Sequence, residues 1–212
     1  MRMESITWDL LADRLAAHLE GLDVAGPWLR VAVDGAPAAG TGPLAGALAE
    51  QLRVRGRPVL VAAADGFLRP ASLRFEYGRQ DLESYLDGWY DTAALWREVF
   101  DPTAPAGSGR VLPDLWDPAR DRATRSPYVE LPPGAVVVLH GPLLLRHWFP
   151  FDLSVHIRLS PGALARRTEE RELWTLPAFA RYEEEIGPDR TADVVVKADD
   201  PRHPAWSGVS PR

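Results

Sequence analysis

The stretch that decides the fold is residues 31–52, VAVDGAPAAGTGPLAGALAEQL. It continues an apolar run, residues 29–33, whose near-continuous hydrophobicity is typical of a strand buried on both faces. Gly35 and Gly40 follow, with four residues between them, and an alanine-rich helix is predicted over residues 43–54. Pro43 suits the first turn of that helix, where a missing N–H costs nothing. The stretch therefore predicts a buried strand joined to a helix by a glycine-rich loop.

The loop fits part of the frame G-x-x-x-x-G-K-[ST], in which backbone N–H groups and the helix dipole face a phosphate. In that frame the lysine reaches the β and γ phosphates and the Ser or Thr holds Mg²⁺. Thr41 stands at the lysine position and Gly42 at the hydroxyl position, and Lys197 is the only lysine in the chain. The sequence thus predicts a degenerate Walker A loop that keeps its backbone and lacks its side-chain contacts.

The bulk composition narrows the functional classes. At 212 residues, 46% hydrophobic and 25% charged, the chain is expected to form a single globular domain. A formal net charge of −6 argues against nucleic-acid binding, and the absence of cysteine excludes disulfides and thiolate nucleophiles. No apolar run approaches the roughly 20 residues of a membrane span, and the helix predicted within residues 1–25 carries charges that disfavour a membrane anchor. We expect a cytoplasmic protein that binds neither membranes nor nucleic acids.

Apolar runs that alternate with helical stretches predict an α/β fold with a mostly parallel sheet of about five strands. The segment at residues 102–133 is rich in proline, glycine and charge, and we interpret it as a hairpin excursion, or flap, with a disordered linker as the alternative. Residues 199–212 are predicted to be a loosely held tail. The predicted strands are residues 29–34, 58–64, 135–139, 153–159 and 193–196, and the predicted helices are residues 43–54, 81–87, 92–100, 161–174 and 177–185.

Longer motifs point to a family. Residues 64–102 read ADGFLRPASLRFEYGRQDLESYLDGWYDTAALWREVFDP, and LWDPARDRAT, PPGAVVVLHGPLLL, FDLSVHIRLSPGALARR and RYEEEIGPDRTADVVV follow in order. From about residue 29 to 200 the chain resembles the uridine kinases and their phosphoribulokinase and pantothenate-kinase-like relatives among the P-loop NTPases. The resemblance implies a three-layer sandwich with a short lid at residues 161–187. It also implies ATP- and Mg²⁺-dependent phosphorylation of a hydroxyl on a nucleoside-like small molecule, by a protein that forms homo-oligomers.

The resemblance implies roles for single residues. Asp65, which ends the second predicted strand, would orient or deprotonate the acceptor hydroxyl, and a turn cap is the alternative because Asp-Gly is a common turn pair. Arg167 and Arg171 in the lid would act as catalytic residues that stabilise the transferring phosphoryl group, unless they pair with neighbouring glutamates. The implied cofactor-binding residues are Gly35, Ala38, Ala39, Gly40, Thr41, Gly42 and Arg166. The implied substrate-binding residues are Phe67, Arg69, Tyr77, Trp116, Asp117 and His140.

His140 is a further departure from the family pattern, because relatives place an aspartate or glutamate at this position. Histidine is not a hard oxygen ligand for Mg²⁺. Asp65 and Asp34 stay open as alternative metal contacts, with capping of the loop the favoured role for Asp34, and no metal ligand is assigned. With Thr41 and Gly42, this change impairs the phosphate–metal end of the site. Two hypotheses follow: a nucleoside kinase-like enzyme with an impaired site, or a catalytically inactive homologue that binds a nucleoside, a nucleotide or a partner protein. A metal hydrolase is disfavoured, because the histidines form no H-E-x-x-H spacing.

Overall fold

The computed structural model describes residues 3–208. Its strands are β1 (Glu4–Ser5), β2 (Leu29–Asp34), β3 (Val59–Ala63), β4 (Arg110–Val111), β5 (Trp116–Asp117), β6 (Arg122–Ala123), β7 (Val129–Glu130), β8 (Val136–Gly141), β9 (Leu153–Arg158), β10 (Val194–Lys197) and β11 (Ala205–Ser207). Its α-helices are α1 (Trp8–Glu20), α2 (Thr41–Val54), α3 (Ala71–Arg74), α4 (Thr92–Leu95), α5 (Pro161–Arg167), α6 (Leu176–Glu185) and α7 (Pro188–Thr191). Single 3₁₀ or π-helical turns cover Pro37–Ala39, Ala64–Phe67, Ser84–Gly88, Trp96–Phe100, Leu144–His147 and Glu170–Thr175.

The main sheet has the strand order β1-β11-β10-β9-β2-β8-β3. Its five long strands, β10 to β3, are parallel, which confirms the predicted α/β fold with a mostly parallel sheet. The predicted strand number is corrected from about five to seven, because β11 pairs antiparallel with β10 and β1 pairs antiparallel with β11. The buried side chain of Trp206 fixes β11 against the core, so the prediction of a loose tail is wrong for this strand. Residues 209–212 of that tail lie outside the described residues.

Helices flank the sheet. The predicted N-terminal helix is α1, which starts where the Thr7 hydroxyl accepts a hydrogen bond from the Leu10 amide, as a helix N-cap does. It buries Leu11, Leu15 and Leu19 and packs against α2, which in turn packs on β2, β3 and β8. The prediction of one helix over residues 161–174 is wrong in part, because α5 ends at Arg167 and a 3₁₀ turn replaces its second half. Across residues 3–208 no helix combines the length and the apolar character that crossing a membrane requires.

The flap at residues 102–133 is an ordered hairpin excursion. Its outer pair joins β4 to β7 and its inner pair joins β5 to β6, both antiparallel. The Asp121 carboxylate holds the tip of the flap to α3 by accepting a hydrogen bond from the Ala71 amide at 2.9 Å. At the base, a Cβ on Gly66 would lie 2.8 Å from the Cβ of Asp114, so only glycine permits this close approach. The flap is thereby fixed next to the end of β3.

Candidate active site

The glycine-rich loop, residues 35–42, joins β2 to α2. Gly40 has φ 82°, a left-handed conformation that glycine adopts without strain, and it forms the N-cap of α2. Because Thr41 and Gly42 begin the helix, their amides have no intrahelical acceptor and are free to bind an anion. Pro43, the next residue, has no N–H to offer. The loop therefore keeps the backbone shape of a phosphate-binding loop with a reduced set of donors.

A buried hydrogen-bond network supports the entry to the loop. Asp34, fully buried, accepts hydrogen bonds from the Leu144 amide at 2.8 Å and the Tyr182 hydroxyl at 3.0 Å. Its Oδ2 also lies 2.6 Å from Nδ1 of His156, whose Nε2 is 3.6 Å from Glu183. Burial alone would lower the pKa of His156, but the two carboxylates outweigh it and raise the pKa to about 9. The imidazolium thus compensates the buried charge of Asp34, which is committed to this network.

The three departures from the family pattern meet in one place. Thr41 Oγ1 lies 3.4 Å from His140 Nδ1, a long hydrogen-bonding contact. A Cβ on Gly42 would lie 3.3 Å from Cε1 of the same imidazole. Burial lowers the pKa of His140, and the negative charge of Asp65 opposes that shift. A predominantly neutral imidazole therefore covers the first turn of α2.

In front of the loop lies a cleft of about 420 Å³. Asp65, at the end of β3, is exposed to it, although the surrounding walls remove part of its hydration. This desolvation raises the pKa of Asp65, while His140 and Arg74 oppose the shift. The loop contributes Pro37 and Ala38, and the lid contributes two arginines and two glutamates: Arg167, Arg171, Glu169 and Glu172. The cleft thus contains a carboxylate of raised pKa, part of the loop and two positively charged side chains.

An aromatic wall closes the other side of the cleft, formed by Tyr85, Trp89, Tyr90 and Phe179. Tyr85 packs edge-to-face on Trp89, with ring centroids 4.8 Å apart. Burial raises the pKa values of Tyr85 and Tyr90, so both phenols stay protonated at neutral pH. The wall therefore presents aromatic rings and neutral hydroxyl groups, which suit the ring of a small organic substrate.

The structure brings the three predicted catalytic residues, Asp65, Arg167 and Arg171, to the cleft together with Ala38 of the loop. The other predicted loop residues and His140, a predicted substrate-binding residue, do not line it: Gly35, Ala39, Gly40, Thr41 and Gly42. The glutamate pairing proposed as the alternative for the lid arginines is present for Arg171, which lies 2.8 Å from Glu169 and is largely exposed. Arg167 instead donates to the Asp199 carbonyl at 2.6 Å.

Three predicted substrate-binding residues near β3 are corrected. Phe67 is fully buried in the core, so it cannot contact a substrate. Arg69 accepts a hydrogen bond on its carbonyl from the Arg74 guanidinium, and its side chain does not line the cleft. Tyr77 lies on the surface outside the cleft, with 76% of its area exposed.

The predicted flap residues and one lid arginine lie outside the cleft. Trp116 donates its indole N–H to Asp121 within the flap. Asp117 accepts hydrogen bonds from the amides of Ala119 and Arg120 and so forms a turn cap. Arg166 folds back over its own helix turn towards residue 162. None of the three predicted residues lines the cleft.

Sequence reasoning missed the role of Trp89 in the wall and of Arg74 next to Asp65. Arg74 is buried, and its guanidinium lies 5.2 Å from the centre of the Trp89 ring. The signal available was the density of aromatic residues in YLDGWYD, residues 85–91. Only the fold determines that these rings face the end of β3.

A larger cavity, of about 560 Å³, lies between β9, α5 and α6. Its lining is mostly apolar and includes neither Asp65 nor the lid arginines of the cleft. We therefore place the candidate active site in the smaller cleft, where the polar groups converge.

The parallel sheet, the glycine-rich loop at the head of α2 and the lid over the cleft define a P-loop kinase-like fold. Among solved structures, the chain is similar to a possible uridine kinase from Bacillus stearothermophilus, with 24% identity, a TM-score of 0.70, and coverage of 87% of this chain and 96% of that chain. It is also similar to a protein assigned as a fructose transport system kinase from Silicibacter sp. TM1040, with 25% identity, a TM-score of 0.61, and coverage of 88% and 95%. Neither a protein-family model nor a curated protein sequence matches the chain. The uridine kinase-like P-loop fold inferred from the sequence is thus confirmed.

Proposed function

We propose that this protein is a phosphotransferase that moves a phosphoryl group from ATP to a hydroxyl of a nucleoside or a similar small molecule. The observation that carries the proposal is the position of Asp65. Its carboxylate, with a raised pKa, faces a cleft that also contains the loop and two lid arginines. The kinase-like fold shared with the two solved structures supports the same class of reaction.

Asp65 would orient the attacking hydroxyl and accept its proton. A general base must be ionised before the reaction and must still bind a proton well, and a raised pKa improves the second property. Desolvation raises the pKa of Asp65, and the positive charge of Arg74, buried beside Trp89, opposes that shift. The chemistry asked of the protein is mainly positioning, as in other phosphoryl transfers.

Arg167 and Arg171 would stabilise the charge of the transferring phosphoryl group. Both side chains reach the cleft from the lid, on the side where the loop lies. Positive charge placed at this point in a partly desolvated site is worth far more than in water. The free amides of Thr41 and Gly42 would hold phosphate oxygens of ATP.

The acceptor would bind against the aromatic wall. Tyr85 and Trp89 offer ring faces and edges, and the protonated hydroxyl of Tyr90 can donate or accept a hydrogen bond. These properties suit a planar base or the apolar face of a sugar. A nucleoside is therefore the substrate class that we favour.

The test is a kinase assay over a panel of nucleosides and sugars with Asp65→Asn. We expect turnover to fall by roughly 10²–10⁴-fold, because the general base is lost while the side-chain size is kept. Asp101→Asn is the matched control, since Asp101 is an exposed aspartate outside the cleft. Equal turnover in the native protein and the Asp65→Asn variant would disprove the proposed role of Asp65.

A second candidate function is binding without turnover, and the contacts among Thr41, Gly42 and His140 favour it. An inactive homologue would keep the acceptor cleft and bind a nucleoside, a nucleotide or a partner protein. Calorimetry with nucleosides separates the two candidates: binding without ATP turnover across the panel supports the inactive homologue.

The resemblance further implies a homo-oligomer that works in the cytoplasm, and we carry both statements as proposals. Light scattering coupled to size-exclusion chromatography measures the first, and imaging of a tagged protein in its source cells measures the second.

A further inference from the structure

Gly42 and His140 are linked by contact, although 98 positions separate them in the sequence. In the main sheet, β8 pairs with β2 so that His140 lies opposite Val33. Val33 is the second-last residue of β2, and the loop begins after Asp34. The imidazole of His140 then extends over the first turn of α2. A Cβ at position 42 would lie 3.3 Å from its Cε1, closer than most side-chain contacts. A serine or threonine at position 42 would therefore compete with the imidazole for space.

The residues around the loop do not fit Mg²⁺. This ion requires near-octahedral oxygen ligands, usually one or two carboxylates together with phosphate oxygens. Position 42 has no hydroxyl and position 140 has no carboxylate. Asp34 is buried and engaged by Leu144, His156 and Tyr182. Three carboxylates line the cleft among the described residues: Asp65, which is proposed to face the acceptor, and Glu169 and Glu172 of the lid, which pair with Arg171.

We infer that the phosphate end of this cleft works without a bound Mg²⁺, because the imidazole of His140 occupies the space beside residue 42 where the metal ligands of a complete loop would lie. This inference rests on the proposed function, because it assumes that the loop binds the phosphates of the phosphoryl donor. The anion there is held by the amides of the loop and by the lid arginines. Its affinity is independent of divalent cations.

The contact itself is tested by thermal unfolding of Gly42→Ser in the native background and in the His140→Ala background. We expect the serine to lower the Tm in the native background and to leave it unchanged or raise it when the imidazole is absent. Gly46→Ser is the matched control on the same helix, since no atom lies within 4 Å of a Cβ at that position. Equal effects of Gly42→Ser in both backgrounds would overturn the steric part of the inference.

The metal dependence is tested by calorimetric titration of ATP in excess EDTA and in excess MgCl₂. We expect the affinity of the native protein to change by less than about twofold, whereas Gly42→Ser/His140→Asp gains roughly tenfold with Mg²⁺ as oxygen ligands return. A tenfold gain by the native protein would overturn the inference. Failure of the native protein to bind ATP in either buffer would instead count against the proposed donor.

A direct Mn²⁺ titration followed by electron paramagnetic resonance decides the metal question without any nucleotide. We expect the double variant, shown by circular dichroism to be folded, to bind Mn²⁺ roughly tenfold more tightly than the native protein. Measurable Mn²⁺ binding by the native protein that is as tight as that of the double variant overturns the inference whether or not ATP binds.

Discussion

The two ends of the cleft differ in the groups that they present. At the donor end, which comprises the loop and His140, Thr41 contacts the imidazole of His140 and Gly42 leaves room for that ring. At the acceptor end, which comprises Asp65 and the aromatic wall, a carboxylate of raised pKa shares the cleft with Tyr85 and Trp89. The comparison teaches that the backbone of a phosphate-binding loop can form without a lysine at position 41 or a hydroxyl at position 42.

The reason lies beneath the loop. Its backbone depends on Gly40, and the network of Asp34, His156 and Tyr182 supports the strand that leads into it. None of the hydrogen bonds of this network involves Thr41, Gly42 or His140, so the shape of the loop does not rest on those three residues. Variants at the two ends of the cleft distinguish a donor end without function from one whose positive charge is supplied by the lid.

The largest expected effect is on catalysis. Replacing both Arg167 and Arg171 by alanine should lower turnover by roughly 10³-fold, because preorganised positive charge stabilises the transferring phosphoryl group. Steady-state kinetics with saturating acceptor measures it. Arg166→Ala, one residue away and folded back on its own helix, should have a much smaller effect. Equal losses from Arg166→Ala and from the double variant would show that the lid acts only through its overall charge.

The next effect is on stability, through the buried network beneath the loop. His156→Gln should lower the free energy of unfolding by about 3 kcal/mol, because it leaves the buried Asp34 without a counter-charge. Denaturant unfolding measures this change. His203→Gln is the control, since His203 is exposed and pairs with Asp200 at the surface.

The ion pair between His156 and Asp34 makes the stability of the protein depend on pH. The folded-state pKa of His156, about 9, lies above its ordinary value of 6.5, so the stabilisation is complete below pH 6.5 and is lost as the pH rises through 9. The native protein should therefore lose stability between pH 7 and 10 relative to the His156→Gln variant. Parallel stability curves for the two proteins over that interval would contradict the buried imidazolium.

A smaller effect is expected at the acceptor end. Trp89→Leu should raise the KM for the acceptor about tenfold with little change in kcat, because an aromatic contact worth about 1 kcal/mol and its packing are lost. Trp148→Leu is the matched control, because Trp148 is 75% exposed and lies outside the cleft. An unchanged KM in the Trp89→Leu variant would remove the aromatic wall from the substrate site.

The smallest effect is expected from Thr41→Lys alone. Thr41 is buried against His140, so a lysine there must lose hydration without gaining a metal-bound phosphate partner. We expect the affinity for ATP to change by about threefold or less, measured by calorimetry. A gain of tenfold or more would show that the donor end lacks only its lysine.

Much of the fold was predictable because buried parallel strands have continuous apolar sequences. The five predicted strands agree with β2, β3, β8, β9 and β10 to within one or two residues at their ends. The short strand β11 was missed, since AWS carries no pattern of its own and pairs only because β10 offers an open edge. The break after α5 was missed as well, because Thr168 is extended without any proline or glycine to signal it.

Site residues that lie near the end of a strand were predictable from the sequence. Contacts between side chains that are distant in the sequence were not. Asp65 lies in the 3₁₀ turn, Ala64–Phe67, that follows β3, so its place near the end of a predicted strand was enough to put it at the cleft. Phe67 lies in the same turn two positions later, but its side chain points into the core. The contact between Gly42 and His140 depends on the register of β2 against β8, which no local pattern encodes.

The contact between Gly42 and His140 also restricts the order in which substitutions could rebuild the loop. A serine at position 42 meets the imidazole if it comes first, whereas an aspartate at position 140 removes the obstacle beforehand. The two changes are therefore expected to be epistatic, because the serine meets the imidazole on only one of the two mutational paths. A selection of a mutant library for growth that depends on the kinase activity of this protein should recover changes at position 140 before changes at position 42.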